Sequence, residues 1–122
     1  MHELSIALSI VEMASEEAAR RGAQVSAIHL KLGRFAGVVK EALLFSYDVA
    51  CQGTTLEGSR LVIEEVPVVV YCPACEAETT LASIQRLCCA TCDTLTSQIV
   101  RGRELEVVAL ELEDKIEVEC ER

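Results

Sequence analysis

The chain is poor in aromatic residues and in proline. Of its 122 residues, two are Tyr, two are Phe, two are Pro and none is Trp. A core built from this composition has to be aliphatic, and an apolar content of 51% is enough to build one. Basic residues are also scarce, 11 against 20 acidic ones, giving a formal net charge of -9. A surface of that sign repels phosphate. It argues against nucleic acid and anionic membranes as partners and leaves metal cations and basic protein surfaces open. The sequence has no apolar run of about 18 residues, so no membrane-spanning helix is expected. The N-terminus lacks the basic and apolar segments of a signal peptide, which makes a cytoplasmic location the expectation. Histidine is rare too, His2 and His29 being the two. With so few, and with no Ser-His-Asp set, paired-histidine motif or glycine-rich phosphate loop, no enzymatic activity is expected.

What is present is patterned. Residues 4–21 read as an amphipathic helix, with Leu4, Leu8, Val11 and Ala18 on one side, widened by Ala7, Ile10 and Ala14. Ser5, Ser9, Glu12 and Glu16 mark its polar stripe, Glu16 and Glu17 precede Arg20 and Arg21 by four residues, and Gly22 suits a C-terminal cap. Residues 25–33 alternate as a half-buried strand: Ile28, Leu30 and Leu32 share the parity of Ser26, and His29 and Lys31 face the other way. A turn from Gly33 to Gly37 leads to a second helix over 39–51, whose apolar stripe is Val39, Leu43, Tyr47 and Ala50. After a loop over 52–59, a strand over 60–70 is interrupted at Pro67, because proline cannot donate to a ladder. A third strand over 103–113 changes the phase of its alternation between Val107 and Val108.

The expected fold is therefore α+β, a three-stranded sheet with two helices on one face, built from 1–70 plus 97–113. A small zinc-ribbon-like four-cysteine domain over 71–96 interrupts it, and 114–122 form a charged C-terminal tail. The cysteines carry the clearest chemistry. There are seven, an odd number, and four of them form the pairs Cys72-Pro-Ala-Cys75 and Cys89-Ala-Thr-Cys92. In a chain without a secretion signal this pattern points to metal rather than disulfides. Two such knuckles place four thiolates at the corners of a tetrahedron, the set that Zn²⁺ accepts in a closed structural site. The stretch from Glu76 to Cys88 is too short and polar to form a core, so the metal has to supply the folding energy. Cys88 adjoins Cys89 and competes with it as a ligand through a C-x-x-x-C spacing, but Cys89 is preferred because it restores the symmetric pair. Cys51 reads as a small buried hydrophobe and Cys120 as a free thiol in the tail.

The chain opens Met1-His2-Glu3. The α-amine of Met1, the amide nitrogens of His2 and Glu3, and the His2 imidazole can close chelate rings in one plane. Square-planar nitrogen coordination suits Ni²⁺ or Cu²⁺ and suits Zn²⁺ poorly. The Glu3 carboxylate can add an axial oxygen or an outer hydrogen bond. On these residues alone, an exposed histidine at a frayed terminus is the preferred reading, and His29 reads as a surface residue.

The whole set resembles a known family. Met1-His2-Glu3-Leu4-Ser5, the strand Ile28-His29-Leu30-Lys31-Leu32-Gly33, Leu61 to Pro67 leading into the first knuckle, and Gly102-Arg103-Glu104-Leu105 after the second are similar to the HypA/HybF hydrogenase nickel-incorporation proteins. The resemblance implies a nickel metallochaperone for the maturation of [NiFe]-hydrogenase, with Ni²⁺ as cargo on Met1, His2 and Glu3. It implies a structural Zn²⁺ on Cys72, Cys75, Cys89 and Cys92. It also implies as partners a HypB-like GTPase and the hydrogenase large-subunit precursor, with urease accessory proteins in some bacteria, and a chain working as monomer or homodimer. The second knuckle departs from the family pattern in having Ala where proline often follows the first cysteine. The alternative reading is a zinc-ribbon interaction or nucleic-acid-binding module, against which stands a module with Arg86 as its single basic residue.

Overall fold

The computed structural model describes residues 3–81 and 83–114. Along them run α1 (Glu3–Arg21), β1 (Ala23–Gly33), α2 (Lys40–Cys51), β2 (Arg60–Val66), β3 (Val69–Cys72), β4 (Ala77–Thr80), β5 (Ile99–Arg101) and β6 (Leu105–Asp114). The strands form two three-stranded sheets, ordered β2-β1-β6 and β4-β3-β5. Among the described residues, no helix is long and apolar enough to cross a membrane. The described chain divides into two compact units, one of 31–38 and 63–106, the other of 3–30, 39–62 and 107–114.

In the helical unit α1 packs along α2. The residues of α1 that face inward are Ala7, Ile10, Val11, Ala14 and Ala18. Leu4 and Leu8, expected on that stripe, are 45% and 50% exposed. Three alanines on the buried line let α1 approach its neighbours closely, and this turns the two leucines to the flank. Val39 likewise stays outside, as the residue that precedes α2, whereas Leu43, Tyr47, Ala50 and Cys51 are buried. Glu17 binds both Arg20 and Arg21, and Gly22, at a φ of 64°, ends the helix in the left-handed conformation that glycine adopts at no steric cost.

Strand β1 buries Ala23, Val25 and Ala27, then Ile28, Leu30 and Leu32. The inward parity thus changes between Ala27 and Ile28, so Ser26 does not mark the buried side as a strict alternation would require. The phase change lets Ser26 and His29 both reach Glu111: Ser26 donates to its carbonyl at 3.1 Å, and His29 Nε2 lies 2.5 Å from its carboxylate. In β6, Leu105 and Val107 are half-buried, Val108 and Ala109 are both exposed, and Leu110 and Leu112 are half-buried again. The phase thus slips between Val108 and Ala109, one residue beyond the Val107/Val108 position expected from the sequence.

The expected strand over 60–70 divides at Pro67, but its two parts belong to different sheets. Strand β3 is the centre of the smaller one. It pairs antiparallel with β4, Cys72 opposite Ala77, and with β5, Val70 opposite Ile99. Under this sheet lies a small apolar cluster of Val68, Val70 and Leu81, with Phe35, Leu87 and Ile99 packed against it. Gly33 and Gly102 cross within the same unit. Phe35 donates to the Gly102 carbonyl and Gly33 to that of Glu104, both at 2.7 Å. A Cβ on Gly33 would overlap the Gly102 carbonyl, and Gly102 itself has a φ of 119°.

Candidate metal centre

The two knuckles hang from the end of β3 and from the segment before β5. In each, the residue after the second cysteine is left-handed, Glu76 at a φ of 53° and Asp93 at 64°. Neither is glycine, and non-glycine residues in that region are uncommon, so both turns are held in shape by their surroundings. Two repeated backbone contacts hold them. The Cys75 amide donates to Cys72 Sγ and the Thr91 amide to Cys89 Sγ, each at 3.4 Å. Cys89 also donates to the Thr94 carbonyl at 2.8 Å, and Asp93 to the Cys89 carbonyl at 2.9 Å, which closes the second turn.

The result brings together the sulfurs of Cys72, Cys75, Cys89 and Cys92, all within 4.8 Å of one another. Cys72 and Cys92 are 3.6 Å apart, Cys75 and Cys89 3.9 Å. A tetrahedron of sulfurs at ~2.3 Å from zinc has an edge of about 3.8 Å, so these two pairs already stand at the spacing this ion requires. Four thiolates fill the tetrahedron, a closed site of the structural kind. Cys88 is buried, and its backbone bridges Leu95 instead.

The thiols are unequal. Hydrogen bonds from Thr94 pull Cys92 down to about 6, the Thr94 Oγ1 lying 3.0 Å from its sulfur. The backbone amides of Cys92 and Thr91 lower Cys89. The proximity of Cys92 and Cys72 pushes Cys75 up to about 12. Like charges this close oppose complete ionisation, and a divalent cation among them reverses that and favours the thiolate at every position. The contribution of Thr94 escapes the sequence reading. Its signal was a hydroxyl two residues after Cys92, the offset at which a side chain bonds back to a turn.

Of the N-terminal candidates, Met1 and His2 lie outside the described residues, as does Cys120. Glu3 is the first residue of α1, and its Oε2 accepts a hydrogen bond from the Val39 amide at 3.2 Å. His29 is half-exposed and pairs with Glu111, whose other oxygen is 3.8 Å from Arg60. The His29 hydrogen bond, aided by the Arg60 charge, holds the Glu111 carboxyl below its usual range. Cys51 is buried beside Tyr47 and Ser59, and burial pushes its thiol up.

The family described as "Hydrogenase/urease nickel incorporation, metallochaperone, hypA" matches residues 1–112. The chain is 56% identical over 112 residues to the hydrogenase maturation factor HypA of Chloroflexus aurantiacus, covering 91% of this chain and 98% of that one. It is 52% identical over 115 residues to the HypA of a Roseiflexus species, covering 93% and 94%. In fold it is similar to the nickel metallochaperone HypA from Helicobacter pylori, with a TM-score of 0.64 at 19% identity over 94% of this chain and 100% of that one. Family match and sequence identity together show that this chain belongs to the HypA family of hydrogenase/urease nickel-incorporation metallochaperones.

Proposed function

We propose that this protein is a nickel metallochaperone for the maturation of [NiFe]-hydrogenase. The observation that carries the reading is a family match that runs from Met1 through both knuckles to residue 112. Zinc is held by Cys72, Cys75, Cys89 and Cys92 and gives shape to its unit. Nickel, the cargo, is taken by the α-amine of Met1, the amide nitrogens of His2 and Glu3 and the imidazole of His2. The amide of Glu3 suits this role because α1 begins there, and an α-helix cannot pair its first four amides internally. Two deprotonated amides also neutralise the divalent cation, which removes the penalty for a positive charge at a helix N-terminus. The partners are a HypB-like GTPase and the hydrogenase large-subunit precursor in the cytoplasm. The acidic surface favours basic faces on both, and no catalytic step is needed to pass on a cation.

The test is a titration of Ni²⁺ into untagged protein, protein extended by one residue before Met1, and His2→Ala. The first change to the chain displaces the α-amine and the second removes the imidazole, so each abolishes tight binding with zinc content unchanged. Equal affinity in all three would remove the terminal nickel site.

A further inference from the structure

Helix α2 begins without the residues that normally close a helix N-terminus. Its N-cap is Val39, which has no side-chain oxygen and makes no side-chain cap bond. The position three residues on, where a Glu or Gln would reach back to the N-cap amide in a capping box, is Ala42. The first backbone bond of the helix, Leu43 to the Val39 carbonyl at 2.9 Å, leaves the Val39 amide itself outside the ladder. A carboxylate nevertheless accepts from that amide, and it comes from Glu3, 36 residues earlier in the chain. Glu3 therefore does from outside what the third residue of a capping box does from within. Its negative charge also lies where the α2 macrodipole favours one.

We propose that the Glu3 side chain is a positioning residue for nickel rather than an axial ligand: its carboxylate, bound to the Val39 amide, ties the start of α1 to the start of α2 and so pre-sets the backbone nitrogen of Glu3 for the cation. The inference rests on the terminal nickel site proposed above. One of the planar donors is the amide nitrogen of Glu3 itself. Anchoring the side chain of that residue restricts the backbone that carries the donor. Less freedom is then lost on binding, and affinity rises without any added metal bond. Outer groups that orient metal ligands typically carry about 10–100-fold in metal affinity. An exposed anchor such as this one belongs at the lower end, about tenfold.

The decisive variants leave Glu3 in place. Val39→Pro removes the amide hydrogen, and the φ of -85° at this position is within reach of proline. Val39→Ala keeps the amide and trims a side chain that is 58% exposed. Nickel is titrated into both, and into Glu3→Ala, Glu3→Gln and the double variant Glu3→Ala/Val39→Pro, all untagged, with zinc content and far-UV circular dichroism recorded as checks of fold. Val39→Pro and Glu3→Ala should each weaken nickel binding about tenfold, with no further loss in the double variant, since both break one contact. Val39→Ala should bind as the parent does, and Glu3→Gln, which keeps an oxygen acceptor, should recover part of the loss. At saturating nickel the ligand-field absorption band should be the same in every variant. Unchanged affinity in a folded Val39→Pro would overturn the inference. So would a band that shifts in Glu3→Ala but not in Val39→Pro, because the carboxylate would then be a ligand. Undiminished binding by His2→Ala would remove the proposed nickel site itself, a different failure from either.

Discussion

The helical unit and the cysteine unit are held together by different means. The helical unit buries a long series of aliphatic residues from α1, α2 and β1, together with one aromatic, Tyr47. The cysteine unit has an apolar cluster of Val68, Val70 and Leu81, and its knuckles lie at the turn between β3 and β4 and in the segment before β5. Each fully buried aliphatic side chain contributes ~1.5–3 kcal/mol. Structural zinc contributes ~10 kcal/mol or more in small modules that depend on it. The comparison teaches that stability here is distributed in one unit and concentrated in the other. A single substitution should weaken the first and dismantle the second.

The sharpest way to break that contrast is at the zinc ligands. Cys72→Ser should release the zinc and unfold the knuckles, with a loss on the scale of the ~10 kcal/mol that metal binding supplies. Metal analysis and proteolysis should show zinc gone and 73–96 cut, with the α1 and α2 circular dichroism signal largely kept. A Cys72→Ser protein with full zinc would show that the ligand set is wrong. The matching lesion in the other unit is Leu43→Ala, at a site with no solvent exposure. It should cost ~2–5 kcal/mol of stability in denaturant unfolding, with zinc content unchanged.

Two smaller changes sharpen the comparison within the helical unit. Ser59 gives its single hydroxyl proton to the Leu56 carbonyl at 2.6 Å, so Tyr47 must donate in its 2.6 Å bond to Ser59. Tyr47→Phe should remove about 1 kcal/mol, read as a lower denaturant midpoint at constant slope. The smallest effect concerns pH. Pairing with His29 lowers the Glu111 pKa from its usual 4.5, so its contribution is fully present above that value and is lost as pH falls through the lower folded one. Melting temperatures of the parent and Glu111→Gln should therefore differ above pH 4.5 and converge in more acid solution. A gap that stays constant into acid would mean that the carboxylate charge contributes nothing.

Much of this was legible without coordinates, for reasons that differ by residue. The knuckles announce themselves because the chemistry of four thiolates around one ion depends on local spacing. Pro67 announces a break because it lacks a donor, wherever it lies. A slip in the last strand is visible because alternation has a period of two, although it falls at Val108/Ala109 rather than Val107/Val108. The same rule misplaced Ser26, because the phase change in β1 has no local marker: Ala27 and Ile28 are both apolar and fit either side. Hydrophobicity alone points Leu4 and Leu8 inward. Helix packing instead favoured the alanine line beside them, since close approach depends on the small size of residues on both surfaces.

By itself, the sequence determined which four cysteines form a metal-sized set, the order of helices and strands, and the aliphatic nature of the core. All of these follow from side-chain chemistry and short-range periodicity. Only the tertiary structure decided which sheet each half of the 60–70 segment joins and that Gly33 and Gly102 have to cross without side chains. It also decided that α2 takes its missing cap from Glu3. Contacts between residues far apart in the chain depend on how packed elements meet, and no local pattern encodes that meeting.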